Sequence, residues 1–335
     1  MAIFLNVLFL IIGMVLLIKG ADFFVTGASA IAKRLKVPSL FIGLTIVALG
    51  TSLPELSVSI ASAFSNSIDM SVGNIVGSNM FNMLMVLGFV SLFAKIPMSS
   101  SSKKIDIPFL IAITGMLLLF SVDSILNGAS FNILSRTESI LFYIILILYM
   151  YILIFNAQRK RNRQLKQEKF FGKSEQENTQ EKELKVWQIF LFVVLGLAAV
   201  VFGGECVATT AKFLAIKLGM SEALVGLTIV AMGTSLPEFA TSVIAAKKGE
   251  NDIALGNVIG SNIINISLIL GSVGLIAQAP VSSVILTDFL ILFIATIIFA
   301  IFCTRKDDIS KREGIVLLIM YFAYIAFAII RNYCF

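Results

Sequence analysis

The chain has 335 residues, 58% of them hydrophobic and 14% charged, with a mean hydropathy of +0.97 and a formal net charge of +6. A soluble domain of this size cannot hide that much apolar surface, whereas an integral membrane protein has lipid as its solvent. There is no histidine, and Cys206, Cys303 and Cys334 form no metal or disulfide pattern, which argues against a histidine-dependent intramembrane hydrolase.

Apolar stretches of spanning length fall at 3–29, 38–64, 71–93, 105–122, 138–156, 187–214, 222–246, 253–277, 283–303 and 313–331. They predict an all-α integral membrane protein with ten transmembrane helices. The first stretch is not followed by a small-residue cleavage site and reads as a span rather than a signal. Residues 159–185, RKRNRQLKQEKFFGKSEQENTQEKELK, read as a solvated linker. The chain thus divides into a first half (1–156), a charged linker (157–186) and a second half (187–335).

With an external N-terminus, 21 of the 26 Lys and Arg lie in internal connections and the linker, against 4 outside. The positive charge is therefore a topology signal rather than a nucleic-acid footprint. Both termini are expected outside and the linker in the cytoplasm.

The hexapeptide GTSLPE occurs at 50–55 and again at 233–238. It sits inside a longer repeat: 43–88 aligns with 226–271 at a constant offset of 183, with 23 of 46 positions identical. Each half then holds five spans. Five is odd, so the second half should enter the membrane upside down, an inverted-topology repeat of the kind secondary transporters use.

Each copy places a proline and a glutamate at membrane depth. Pro54 has no backbone N–H and disturbs the carbonyl four residues back, at Gly50; Pro237 and Gly233 repeat the arrangement. The second and seventh helices are expected to be broken, with carbonyls near Ala48 and Ala231 turned away from the helix. Broken helices are tolerated where they line a binding site. Thr51 and Ser52 share a helix face with Glu55, as Thr234 and Ser235 do with Glu238.

The following spans add polar stripes, Asn74, Ser78, Asn82 and Asn257, Ser261, Asn265. Gly73, Gly77, Gly256 and Gly260 beside them allow close helix approach. Serines and asparagines alone could be interhelical glue. A carboxylate at the bilayer centre costs roughly 2.5–3.5 kcal/mol and points to function. Two glutamates among oxygen donors, with no nitrogen or thiolate, suit one hard divalent cation. Asp22 and Glu205 could tune ions or tie helices, the structural role being favoured, and Asp69 and Asp252 read as helix N-terminal acids.

GLTIVALGTSLPE with SVGNIVGSNMFN, and GLTIVAMGTSLPE with ALGNVIGSNIIN, closely resemble the two α-repeats of the cation/calcium exchanger superfamily. The whole chain is similar to the compact prokaryotic sodium/calcium exchangers. The resemblance implies a prokaryotic cell-membrane antiporter that exchanges several Na+, usually three, for one Ca2+, with no cofactor. Glu55 and Glu238 would be the carboxylates shared by both ions, and Thr51 and Thr234 would complete the calcium site with backbone oxygens. Ser52, Ser78 and the Ala48 carbonyl would form one sodium site; Ser235, Ser261 and the Ala231 carbonyl its inverted partner. Asn82 and Asn265 would flank the middle. Some superfamily members, potassium-dependent exchangers among them, carry Asp where this chain has Asn265, so transport is expected to be potassium-independent. A calcium/proton antiporter is the runner-up, and a cation channel is disfavoured by the inverted repeat.

Overall fold

Lipid offers no partner for a backbone N–H or C=O, so the apolar runs close their hydrogen bonds within helices. The computed structural model describes residues 2–65, 67–122, 132–171, 184–219 and 231–334. Helix α1 spans Ala2–Leu35, α2 Ser39–Thr51, α3 Leu53–Phe64, α4 Ile68–Val90 and α5 Ile107–Phe120. Helix α6 spans Arg136–Phe171, α7 Val186–Lys217, and α8 is the single turn Ala231–Gly233. Helix α9 spans Leu236–Lys247, α10 Asn251–Ala277, α11 Ser283–Arg305 and α12 Lys311–Cys334.

Among the described residues seven helices are long and apolar enough to cross a membrane: α1, α4, α6, α7, α10, α11 and α12. Helices α2 and α3 make an eighth span, bent by 45°. The sequence led us to expect ten. The fourth expected span appears as α5 with the π turn Ser102–Asp106 directly before it. The helical run from Ser100 to Phe120 is unbroken, and Lys103, Lys104 and Asp106 in its first turns keep it out of the seven apolar helices. The seventh expected span begins in 220–230, outside the described residues; α8 and α9 are its described part.

The bend between α2 and α3 has a local cause. Pro54 lies in the first turn of α3, and the chain leaves helical geometry at Ser52, with φ −81° and ψ 7°. Ser235 repeats this, at φ −91° and ψ 7°, ahead of Pro237 in the first turn of α9. Three of the spans also contain π turns: Gly43–Val47 in α2, Phe81–Val86 in α4 and Asn265–Leu270 in α10. Such turns insert one residue into a helix and often accompany function.

Two short ribbons join the connections. Strand β1 (Ile96–Pro97) pairs antiparallel with β4 (Asp308–Ile309), and β2 (Asn132–Leu134) with β3 (Ala279–Val281). An ion pair between Lys103 and Asp307 at 2.7 Å reinforces the first. It holds the exposed Asp307 carboxyl below its ordinary range. The connection after α4 and the one after α11 therefore share one end of the bundle.

Part of the charged linker is helical and exposed. Residues 159–171 continue α6 as helix. Arg, Lys, Gln and Leu are good helix formers, and no proline or glycine interrupts them before Gly172. The stretch 172–183 lies outside the described residues.

Helices α4 and α10 form the centre, with 72% and 83% of their most apolar windows buried. Helices α1 and α7 pack along each other at the outside, with 17% and 22%. Glycines set the approach at the centre. A Cβ on Gly256 would lie 2.8 Å from the Leu40 oxygen, and one on Gly260 2.7 Å from the Leu44 oxygen. Backbone thus meets backbone between α10 and α2.

Candidate functional site

The polar groups along α2, α3, α8–α9, α4 and α10 converge at the centre. Glu55 and Glu238, each in the first turn of the helix after a break, are fully buried, at 0% exposure. Their partners are exchanged between the repeats. Ser235 Oγ donates to Glu55 Oε1 at 2.9 Å, and Ser52 Oγ donates to Glu238 Oε1 at 3.1 Å. Ser78 Oγ adds a longer bond to Glu55 Oε1, 3.4 Å. Oε2 of both glutamates is buried and has no hydrogen-bond partner among the described residues. Buried carboxylate oxygens in that condition are unusual, because burial without a partner is costly.

The threonines obey the same exchange. Thr51 Oγ1 donates to Asn257 Oδ1 at 3.0 Å, and Thr234 Oγ1 donates to Asn74 Oδ1 at 3.2 Å. Within each repeat the asparagine then donates to a serine: Asn74 Nδ2 to Ser59 Oγ at 3.3 Å, and Asn257 Nδ2 to Ser242 Oγ at 3.0 Å. Every one of these pairs maps onto the other through the offset of 183.

The expected carbonyl donors need a correction. Ala48 O is not released by the break: it accepts the Ser52 N–H at 3.1 Å. It also receives Ser261 Oγ at 3.5 Å and Thr51 Oγ1 at 3.4 Å. Since a carbonyl has two lone pairs, it can serve both a helix bond and another partner. Ala231 opens α8, but the residues before it, 220–230, lie outside the described residues.

Asn82 and Asn265 occupy the π turns of α4 and α10. Asn265 Nδ2 donates to Asn79 Oδ1 at 3.0 Å, while its Oδ1 has no partner among the described residues. Neither amide atom of Asn82 has one there. Asn79 and Asn262 were not singled out from the sequence. Asn79 Nδ2 donates to Asn262 O at 3.4 Å, joining α4 to α10. The signal that could have found them is the repeat itself, which keeps both. Ser59 and Ser242 were missed in the same way.

Among the described residues no three His, Cys, Asp or Glu side chains cluster as a metal site. The donor set is two carboxylates surrounded by hydroxyl and amide oxygens, suited to hard cations as passing cargo. The other acids lie apart from it. Asp22 pairs with Lys248 at 2.8 Å and ties α1 to the end of α9. Glu205 Oε1 accepts Thr209 Oγ1 at 3.2 Å, and Asp69 and Asp252 stand in the first turns of α4 and α10.

A family described as sodium/calcium exchanger protein matches residues 5–155 and 188–330. Sodium/calcium exchanger MaX1 of Methanosarcina acetivorans is 35% identical over 340 residues, covering 96% of this chain and 97% of its own. Putative antiporter CaxA of Alkalimonas amylolytica is 36% identical over 330 residues, covering 95% and 96%. The sodium-calcium exchanger NCX_Mj, soaked with 2.5 mM Na+ and 0.1 mM Ca2+, superposes with a TM-score of 0.80 at 29% identity, covering 96% of this chain and 98% of that one. Matched along both halves by sequence and along nearly its whole length by structure, the chain belongs to the sodium/calcium exchanger protein family.

Proposed function

We propose that the protein is a sodium/calcium antiporter that works by alternating access. It exchanges several Na+, three in this reading, for one Ca2+ through the site around Glu55 and Glu238. The observation that carries this is the exchanged pairing, Ser52 with Glu238 and Ser235 with Glu55. Two elements from opposite halves thus hold both carboxylates, and movement of one half against the other must remake the site. An inverted pair of five-helix halves with the 157–186 linker in the cytoplasm and both termini outside fits this. The pairing of β1 with β4 supports the orientation, because it joins two connections that are both rich in lysine and arginine.

Thr51, Thr234 and the two glutamates would hold Ca2+. Ser52, Ser78 and the Ala48 oxygen would hold one Na+, and Ser235, Ser261 and the Ala231 oxygen another. Asn82 and Asn265 would supply neutral oxygens between them. Two carboxylates balance one Ca2+, and three Na+ would leave the site at +1, so transport is expected to be electrogenic and indifferent to potassium. An empty site would leave two like charges facing each other in a low-dielectric interior, which opposes switching without cargo. This is a physical basis for exchange rather than leak.

The test is calcium uptake into vesicles carrying the purified protein. An outward sodium gradient should drive uptake, and a proton gradient of equal size should not. Proton-driven uptake without sodium would install the calcium/proton reading instead.

A further inference from the structure

Away from the glutamates the protein buries another carboxylate. Asp106 closes the π turn Ser102–Asp106 and is 1% exposed. Its Oδ1 accepts the Tyr149 hydroxyl of α6 at 3.1 Å. Its Oδ2 is buried and has no hydrogen-bond partner among the described residues. A buried carboxylate oxygen calls for a donor, preferably a charged one. In the second half Asp288 and Arg331 stand where Asp106 and Tyr149 do, at an offset of 182, and there the acid has a cation: Arg331 donates to both Asp288 carboxylate oxygens at 2.9 Å. The transport site makes no use of this residue.

Asp106 lines a cavity between α2, α6 and the turn before α5. Leu40, Phe41, Leu44 and Leu153 make apolar walls, and the exposed Lys160 stands on the same rim. The cavity lies beside Pro38 and Ser101, at the end of the bundle that carries Lys95, Lys103 and Lys104. Its volume is about 30 Å³, room for about two water molecules.

We propose that this cavity binds the headgroup of a membrane phospholipid bearing a primary ammonium, an ethanolamine lipid. The ammonium donates to Asp106 Oδ2, and its terminal carbon and nitrogen match the space. The phosphodiester meets Lys160, and the acyl chains leave along the apolar walls. Three features are accounted for together: an unpartnered acid inside, a base at the rim and hydrocarbon between them. An inorganic cation would satisfy only the acid and would be repelled by Lys160. A choline headgroup has no N–H to donate, and its three methyl groups exceed the space. A phosphatidylglycerol headgroup brings no cation to Asp106.

Native mass spectrometry of the full chain tests this, with dioleoyl phosphatidylethanolamine and dioleoyl phosphatidylcholine supplied in equal amounts. The ethanolamine lipid should be retained about tenfold over the choline lipid, a ratio worth about 1.4 kcal/mol. Asp106→Asn keeps the side-chain shape and removes the charge, and the ratio should fall to near one. A second measurement needs no variant. Mono-, di- and trimethylated ethanolamine lipids, offered to the unmodified chain, should be retained progressively less as N–H groups are replaced by methyls. Equal retention across that series overturns the proposal, and so does a preference that survives Asp106→Asn.

Discussion

Helices α10 and α1 are both long enough to span a membrane, but they are built for opposite places. In its most apolar window α10 is 83% buried inside the protein, and α1 only 17%. Helix α10 carries Asn257, Ser261, Asn262 and Asn265, all buried. Helix α1 turns Phe4, Phe9, Ile11 and Val15 outward, each at least half exposed. In water the more polar helix would lie at the surface. In lipid it lies at the centre, because its amides and hydroxyls find partners only on other helices or on passing ions. In this protein polarity, not apolarity, marks the interior.

The strongest way to break that contrast is to alter one polar group at the centre and one apolar group at the edge. Glu55→Gln or Glu238→Gln preserves shape and keeps an acceptor for Ser235 or Ser52, but removes one of the two charges proposed to balance Ca2+. Sodium-driven calcium flux should fall to background while the protein still purifies as a folded species. Phe202, 70% exposed on α7, should tolerate Phe202→Ala with flux within about twofold, since an exposed side chain away from special features contributes little. Near-normal flux in either glutamine variant would refute the assignment of the glutamates.

Much of the centre was legible in the sequence because it is written twice. The repeat of GTSLPE exposed Glu55, Glu238 and the breaks at Ser52 and Ser235, and the stripes located Asn74, Ser78, Asn257 and Ser261. Two things were not legible. The π turns at Asn82 and Asn265 have no residue signature, since they depend on which i→i+5 bonds the surrounding helices permit. The exchange of partners was also hidden, because local spacing places Ser52 near Glu55 in its own repeat, whereas the fold gives it to Glu238. The length of α6 is hidden for a different reason: the charge that marks a solvated stretch does not show whether it is coiled, and helix propensity carries the helix through to Phe171.

A smaller effect is expected from closing the gap between α10 and α2. Gly260→Val places a branched side chain where a Cβ already lies 2.7 Å from the Leu44 oxygen and 2.7 Å from the Ala48 Cβ. Overpacking of this kind typically costs about 1–3 kcal/mol. Thermal unfolding should move down by several degrees, and flux should fall because the Ala48 carbonyl is displaced. Unchanged melting and flux would mean that the two helices do not stay this close during transport.

Asn265→Asp is expected to change the character of transport more than its rate. The amide donates to Asn79 Oδ1 at 3.0 Å, and an ionised carboxylate there would set acceptor against acceptor. It would also add a third negative charge near the two glutamates. A retained proton resolves both conflicts, and so does an extra monovalent cation. The variant should become pH-sensitive or gain a potassium effect, in calcium flux measured at fixed sodium gradient with the voltage clamped by ionophore. The unmodified protein should show no potassium effect, and a strong potassium requirement in it would show that the asparagine has been misread.

The smallest effect belongs at the edge. Lys248 Nζ pairs with Asp22 Oδ1 at 2.8 Å and also donates to Thr26 Oγ1 at 2.5 Å, tying the end of α9 to α1. Beside it, Ser29 Oγ donates to Glu250 Oε1. Among the described residues the other repeat shows no such tie: the offset places Ser65 opposite Lys248, and Glu205, opposite Asp22, bonds its own neighbour Thr209. The pair is partly exposed, with side chains at 31% and 43%, and such ion pairs are usually worth about 0.2–1 kcal/mol. Lys248→Met should therefore lower the melting temperature by only a few degrees at low salt and less at high salt, with calcium flux within about twofold. Asp22→Asn should behave alike, and the double variant should add little, because both remove one contact. A tenfold loss of flux in either single variant, at unchanged melting, would mean that the outer helix takes part in the exchange cycle through this tie. The line between a working centre and a passive edge would then have to be redrawn to include α1.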